Sequence, residues 1–240
     1  MDEAVDFFYP NGQQGVIDNR LSTNININKV GFPISSFRGF VVDGTFQTQA
    51  DLDAIEQNPG EVIGGLRFKD LNGDKVINDS DYDIIGNPHP DFFGGLNLGV
   101  SFKKFDVNAF LVGSYGNDIF NYTRVFTHFR QFFANVHRDY YLENGTNGTP
   151  KLNAADTGSR FASSYYVEDG SYLRLGQLQV GYTIPFAASK VGLSKLKVYA
   201  QGQNLLTITG YSGLDPALSN ANVGPGNNLN DIWTGYDIGQ

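Results

Sequence analysis

The sequence predicts an all-β chain of antiparallel, up-and-down strands joined by turns and loops of very unequal length. Three observations predict it. Apolar and polar residues alternate with a period of two over extended stretches. Down the chain the connections run long, short, long, short, long. Helical periodicity is nearly absent, with short candidates only at Gln49 to Gln57, the Phe126–Tyr141 region and Ala187 to Val191.

The first clear strand sets Leu96, Leu98, Val100 and Phe102 against Asn97, Gly99, Ser101 and Lys103. Lys103-Lys104 is short enough for a hairpin turn. A return strand follows, with Val107, Ala109, Leu111, Gly113 and Tyr115 alternating with Asp106, Asn108, Phe110, Val112 and Ser114. A third strand begins near Tyr172. Leu173 and Leu175 share one phase, while Leu178, Val180, Tyr182 and Ile184 share the other. The switch at Gly176-Gln177 predicts a β-bulge, and Pro185 ends the strand. In the fourth, Leu196, Val198, Ala200 and Gly202 alternate with Lys197, Tyr199, Gln201 and Gln203. After Leu206 the chain reads as loop.

The long connections span roughly Gly31 to Asp91, Asn117 to Gly170 and Ile208 to Gln240. Membrane barrels have short turns on one side and long loops on the other, whereas soluble sandwiches keep most loops short. Tilted membrane strands need about 9 to 11 residues, which these stretches supply. Tyr and Phe gather near strand ends, at Phe92, Phe93, Phe102, Phe105, Tyr115, Tyr172 and Tyr182, where aromatic girdles sit. The same pattern also fits a soluble β-domain whose aromatics turn into a core, and alternation alone does not separate the two.

Composition narrows the function classes. The 240 residues include 29 Gly and 14% aromatics, with 18% charged residues, which suits a turn-rich β chain. A net charge of −8 without a basic patch argues against nucleic acid as a partner. The absence of Cys removes disulfides, thiolate catalysis and Cys-ligated zinc. No stretch approaches the roughly 20 apolar residues of a membrane helix. The acidic start Met1-Asp2-Glu3 is not a signal peptide, so we expect the chain to be a fragment of an exported protein.

One local motif points to a metal. In Asp70-Leu71-Asn72-Gly73-Asp74-Lys75-Val76-Ile77-Asn78-Asp79-Ser80-Asp81, oxygen donors Asp70, Asn72, Asp74, Asn78 and Asp81 fall at positions 1, 3, 5, 9 and 12, with the Val76 carbonyl at position 7. Such a loop would take Ca2+, which wants hard oxygen ligands. Lys75 where an EF-hand has Gly, and Asp81 where it has Glu, weaken the match. The other reading is an Asx-rich turn capped by its own side chains. His89, His128 and His137 lack the spacing of a helical zinc pair. The neighbouring carboxylates Asp51 and Asp53, and Glu168 and Asp169, read as solvated loop charge. No nucleophile motif or phosphate-cradling loop occurs, so no catalytic residue is expected. Sugars stack on aromatic faces, and the loop aromatics Tyr115, Tyr122, Phe126, Phe129, Tyr165, Tyr166 and Trp233 are the candidates, against the alternative of loop packing.

Several segments resemble the SusC/RagA-like family of TonB-dependent outer-membrane transporters. They are Val30–Ile34 with Ser36–Gln47, Gly65–Asp74 running on to Ile85–Phe92, Gly113–Asn121, Val167–Leu175, Gly181–Pro185 and Val198–Thr207. They follow the family's order and cover most of the chain from Val30 to Asp215. The resemblance implies that residues 1–240 are the C-terminal part of a transmembrane β-barrel: an incomplete, antiparallel up-and-down segment with long outer loops. It implies a barrel of the 22-stranded type whose plug domain and last strand are absent from this chain. It also implies a place in the outer membrane of a Gram-negative bacterium and import of oligosaccharides or peptides. The partners would be a SusD-like surface lipoprotein lid and the TonB complex. From another class, the alternative is a soluble calcium-stabilised carbohydrate-binding β-domain.

Overall fold

The computed structural model describes residues 25–57, 61–121, 124, 150–151, 156, 158–184 and 195–217. In chain order the strands are β1 (Asn26–Ile27), β2 (Ser36–Phe40), β3 (Val42–Thr45), β4 (Leu66–Phe68), β5 (Tyr82–Gly86), β6 (Phe92–Phe102), β7 (Phe105–Tyr115), β8 (Asp118–Phe120), β9 (Val167–Asp169), β10 (Tyr172–Ile184) and β11 (Leu196–Thr209). The helix α1 (Gln49–Ala54) lies between β3 and β4. Among the described residues no helix is long and apolar enough to cross a membrane. The other two helix candidates, Phe126–Tyr141 and Ala187 to Val191, lie outside the described residues.

The chain divides into two compact units. The second unit, within Pro90–Asn117 and Asp169–Tyr211, is one antiparallel sheet of order β11-β10-β7-β6. Its strands run 11, 11, 13 and 14 residues from β6 to β11. Each is long enough to cross a bilayer at a tilt. Strands consecutive in the chain are neighbours in space, which is the up-and-down order expected. Lys103 turns with φ +56 between the paired Phe102 and Phe105, so Lys103-Lys104 makes the tight hairpin. The bulge falls where the phase switch put it, between Leu175 and Gln177. The fourth strand continues through Leu206 to Thr209, three residues past the expected end. The sheet is not closed, since β6 and β11 each lack a neighbour on one side among the described residues.

The first unit, within Met1–His89, Asp118–Glu168 and Ser212–Gln240, corrects the reading of residues 31–91 as a plain loop. That stretch holds β2 to β5 and α1. Its strands of three to five residues are too short to show period-2 alternation. The order of one sheet is β1-β2-β5, and two further pairs are β3-β4 and β8-β9. Phe37 and Phe40 are three residues apart on β2, so alternation turns them to opposite faces and into separate clusters. Phe37 packs with Ile25, Phe120 and Tyr166. Phe40 is stacked with Phe68 at 4.7 Å and Tyr82 at 4.3 Å, beside Leu66 and Ile77. The helix α1 is held by a capping box in which Thr48 Oγ1 accepts from the Asp51 amide and the Asp51 carboxylate accepts from the Gln47 and Thr48 amides. Those amides hold the Asp51 carboxyl below its usual pKa.

Glu61 behaves in the opposite way. Burial pushes its carboxyl up to about 7, with nearby Glu56 adding to the rise, and its Oε1 is buried without a partner. A carboxyl whose folded pKa is raised binds a proton more tightly when folded. Stability from this group is therefore full below about 4.5 and is lost as pH rises toward 7. We predict that denaturant midpoints for the first unit, followed by near-ultraviolet circular dichroism, fall between pH 5 and pH 8. The Glu61→Gln variant should flatten that slope. A slope that survives the substitution assigns it to another group.

Candidate functional site: a two-faced strand wall

In antiparallel pairs, residues directly opposite each other share a face. The registers therefore sort every residue of the second unit. One face takes Phe92, Leu96, Leu98, Val100 and Phe102 from β6, opposite Tyr115, Leu111, Ala109, Val107 and Phe105 from β7. It takes Leu173, Leu175, Leu178, Val180, Tyr182 and Ile184 from β10. From β11 it takes Ile208, Leu206, Ala200, Val198 and Leu196. No charged or amide side chain falls among these paired positions. Gly202 opens a gap on this face, and Leu205 folds into it, so that a Cβ on Gly202 would meet Leu205 Cδ2 at 2.7 Å.

These side chains are not covered. Relative exposure reaches 55% for Leu96, 65% for Val100, 47% for Leu173 and 56% for Val198. A protein core would bring such residues below a tenth. The soluble-domain reading needs a second layer over this face, and none exists among the described residues.

Aromatics bracket the aliphatic band. Phe92 and Tyr115 face each other at one end. Phe102, Phe105 and Tyr182 gather at the other, with the Phe105 and Tyr182 rings 4.7 Å apart. Ten residues at a rise of about 3.4 Å, tilted about 40°, span about 26 Å, the height of the apolar band on a membrane barrel. Phe93 and Tyr172, by contrast, lie on the other face and are not part of this girdle.

The opposite face is polar. Its residues are Asn97, Ser101, Asp106, Asn108, Ser114, Arg174, Gln177, Gln179, Thr183, Lys197, Gln201, Gln203, Thr207 and Thr209, with the apolar or aromatic Phe93, Phe110, Val112, Tyr172 and Tyr199 among them. Its charges are mostly paired off. Lys197 Nζ donates to Asp106 Oδ2 at 2.7 Å over Gly181, where a Cβ would strike both side chains. Arg174 Nε donates to Thr207 Oγ1 at 3.0 Å and lies over the Tyr172 ring.

The first unit contains the predicted metal loop. Lys75 takes φ +68 at the position where an EF-hand has Gly. Asp70 accepts from the Gly73 and Lys75 amides at 2.6 and 2.8 Å, which lowers its pKa, the Lys75 bond contributing most. Asn72 Oδ1 accepts from the Asp74 amide, and Asp74 Oδ1 from the Val76 amide. Asn78 Oδ1 accepts from the Ser80 amide while its Nδ2 donates to the Val76 carbonyl. Asp81 is fully buried and takes the Leu71 and Asn78 amides on its two oxygens. The loop is thus a closed set of Asx turns. No three His, Asp or Glu side chains among the described residues are grouped to hold a metal ion.

Glu168, expected from the sequence as solvated loop charge, is instead a mostly buried second node. Glu168 accepts from Asn121 Nδ2 at 2.9 Å, Ser212 Oγ at 2.8 Å and the Ser212 amide at 2.8 Å, with the Arg124 guanidinium 3.3 Å away. One mostly buried carboxylate ties three separate stretches together, and no local sequence signal marks it. His89 Nε2 lies 2.8 Å from the Ile34 carbonyl, a loop contact as expected. Of the cargo aromatics, Tyr115 is exposed on the apolar face, with the girdle. Tyr166 is fully buried in the core and donates its hydroxyl to the Ser159 carbonyl, so it is a packing residue and not a ligand contact, and Tyr165 packs beside it beneath the Arg124 guanidinium. Tyr122, Phe126, Phe129 and Trp233 lie outside the described residues.

No protein-family model matches the chain. It is 34% identical over 231 residues to TonB-dependent receptor P3 of Formosa agariphila, and 31% identical over 232 residues to TonB-dependent receptor P26 of the same organism. These matches take in 90% and 93% of the chain but 23% of each relative. The TonB-dependent receptor SusC of Bacteroides thetaiotaomicron is 25% identical over 81% of the chain and 18% of its own length. Among solved structures, the RagAB peptide transporter matches with TM-score 0.62 and 25% identity over 82% of the chain and 21% of its own. RagAB in its open-open state matches with TM-score 0.59 and 24% identity over 86% of the chain. The chain spans about a quarter of the length of the curated relatives it matches. Sequence, strand order and fold agree: the chain is homologous to one stretch of the TonB-dependent receptors of the SusC/RagA kind and has the fold of an incomplete β-barrel segment.

Proposed function

We propose that this chain supplies wall strands and outer loops to an importer in the outer membrane of a Gram-negative bacterium. The carrying observation is the uncovered apolar face with aromatics at both ends, backed by a polar face on the same four strands. Soluble monomers rarely expose apolar patches beyond a few hundred Å². Lipid makes that surface a favourable one. In lipid the open edges of β6 and β11 need neighbouring strands, because unpaired backbone groups there cost several kcal/mol each. The remaining strands of the wall would supply them.

In this reading the polar face lines the lumen and the long connections stand outside. The cargo is an oligosaccharide or a peptide, captured under a SusD-like or RagB-like lipoprotein. A plug domain closes the lumen, and the TonB complex supplies the energy by displacing it. The segment performs no chemistry of its own. Its likeness to receptors named for TonB and to a peptide transporter supports this assignment.

The two faces make opposite predictions. Leu98 sits mid-strand on the apolar face and Asn97 beside it on the polar one. A charge at mid-bilayer on the lipid face costs about 2–4 kcal/mol. Leu98→Arg should sharply reduce partition of the chain into phosphatidylcholine vesicles, and Asn97→Arg should leave it near the parent level. Equal effects, or a cooperative soluble monomer without amphiphile, would sink the wall reading in favour of the soluble carbohydrate-binding domain.

We carry Ca2+ at the Asp70–Asp81 loop as a second proposal. Its donors would be Asp70, Asn72, Asp74, Asn78, Asp81 and the Val76 carbonyl, all hard oxygens. Each carboxylate oxygen retains a lone pair beyond its backbone bond, and bound cation would offset the repulsion of Asp70, Asp74, Asp79 and Asp81. Differential scanning calorimetry in millimolar CaCl2 against EGTA should show a higher Tm with calcium. The Asp70→Asn variant should lose the difference. Identical melting in both buffers would leave the loop as a self-capped turn.

A further inference from the structure

The short-turn end of the second unit carries a charge arrangement that crossing a bilayer does not by itself require. In the order β11-β10-β7-β6, the β6–β7 hairpin and the β10–β11 connection lie at the same end. Lys103 and Lys104 form the hairpin turn and Lys195 directly precedes β11, and all three are exposed. Among the described residues none of the three ammonium groups is paired with a carboxylate. Asp106, the one carboxylate at this end, is held by Lys197 at 2.7 Å. The connection from Pro185 to Ser194 adds Lys190 and no Asp or Glu. The other carboxylates of the unit, Asp91 and Asp169, precede β6 and β10 at the opposite end. The lysines also adjoin the aromatic girdle. Lys103 Nζ lies 5.2 Å from the centre of the Phe102 ring, and Phe102 belongs to the apolar face, so this ammonium sits on that side of the sheet. The Thr183 amide donates to the Lys104 carbonyl at 2.7 Å, which ties the turn to β10.

We propose that Lys103 and Lys104, with Lys195 at the same end, hold the headgroups of anionic phospholipids in the leaflet that the short turns reach. The inference rests on the wall reading and gives one rim of the wall a lipid ligand. Phe102, Phe105 and Tyr182 mark the depth where hydrocarbon gives way to headgroups. Lysines just beyond them carry their charge to the level of the lipid phosphates, with the stems lying along apolar surface. An ammonium is a compact charge with three donors, which suits phosphodiester oxygens. The Phe102 ring attracts the Lys103 ammonium and keeps it on the lipid side. Turn chemistry does not account for the residue. A two-residue hairpin turn favours Asn or Gly at a positive φ, yet Lys103 takes φ +56. The chain as a whole carries a net charge of −8, so a rim of unpaired lysines is the local exception. Asp91 and Asp169 at the other end would repel the same headgroups, which gives the sheet a preferred leaflet.

The test is co-flotation of the full chain with two kinds of vesicle in low salt. One is pure phosphatidylcholine and the other an equal mixture of phosphatidylcholine and phosphatidylglycerol. The parent should favour the mixed vesicles, and added NaCl should weaken that preference. A lysine at an anionic surface is worth about fivefold in partition, so Lys103→Asn combined with Lys104→Gln should lower partition into the mixed vesicles roughly tenfold or more. Partition into pure phosphatidylcholine should hold at the parent level. Asn tolerates the positive φ, so the hairpin is kept. Lys29→Gln combined with Lys69→Gln, in the first unit, removes the same net charge and should leave the preference intact. If the double turn variant disturbs the circular dichroism of the sheet, Lys104→Gln alone takes its place, with a smaller loss in the mixed vesicles expected. No preference in the parent, a preference that survives loss of both turn lysines, or an equal loss from the first-unit pair overturns the proposal. So does displacement by soluble glycerol phosphate beyond that by NaCl at equal ionic strength, which assigns the lysines to a free phosphate ester. A chain that enters phosphatidylcholine and shows no preference defeats this inference only. A chain that enters neither vesicle and stays a soluble monomer defeats the wall reading itself.

Discussion

The second unit is governed by one constraint: a single face must stay apolar across four strands of different length. Side chains alternate with a period of two, so a slip of one residue exchanges the faces of everything beyond it. Between the pairs at Leu111 and Phe110, β7 has no extra residue. Opposite them, β10 carries Gly176, and β11 carries Asn204 and Leu205. The two bulges are stacked side by side. The first absorbs one residue and the second two, with Asn204 at φ +49, a left-handed conformation that Asn tolerates. Without the first bulge, Leu178, Val180, Tyr182 and Ile184 would turn to the polar side and Gln177 and Gln179 to the apolar one. Bulges also sharpen strand coiling, which a sheet on its way to closure requires.

The first unit solves a different problem. Its strands are too short to satisfy one another, so polar side chains act as strand substitutes. Gln57 donates to the Leu66 carbonyl and accepts from the Phe68 amide, filling the place of a neighbour along β4. Ser159 accepts from the Leu66 amide while donating to Asp156. Ser164 caps the Val42 amide. Each bond spans nine or more residues of sequence, apart from Ser159 to Asp156. A chain built this way can be irregular and still leave few backbone groups unpaired. Glycine supports the same economy: Gly39 abuts the Ala162 carbonyl so closely that a Cβ would collide with it.

This contrast explains what the sequence disclosed. The wall strands were legible because lipid and water impose a strict alternation over eleven or more residues. Even the bulge at Gly176 showed as a phase error. The bulge at Asn204 did not, because its two extra residues leave the phase of β11 unchanged, with Gly202, Leu206 and Ile208 on the same face. The first unit was nearly invisible. Its elements are shorter than one period of any reliable signal, and its pins join residues far apart in sequence, as Glu168 joins Asn121, Arg124 and Ser212. The Asp70–Asp81 pattern was legible as a turn rich in oxygen donors, since Asx turns are local. Whether those donors serve backbone or cation is not written in their spacing.

Phase also decides what an aromatic is for. Phe92 and Phe93 are alike in type, exposure and strand position, and one residue of offset sends them to opposite faces. On the apolar side, a ring at a strand end sits at the depth where hydrocarbon gives way to headgroups, and there Tyr gains by keeping its hydroxyl wet. On the polar side, a ring stands among Asn and Gln side chains, as Phe110 does beside Asn97 and Gln177. Tyr115 was attractive as a cargo residue by type and by nearness to a loop, yet its register turns it away from the amides. Phe110 carried the opposite signal: a large apolar residue in the polar phase, costly to keep wet unless something covers it.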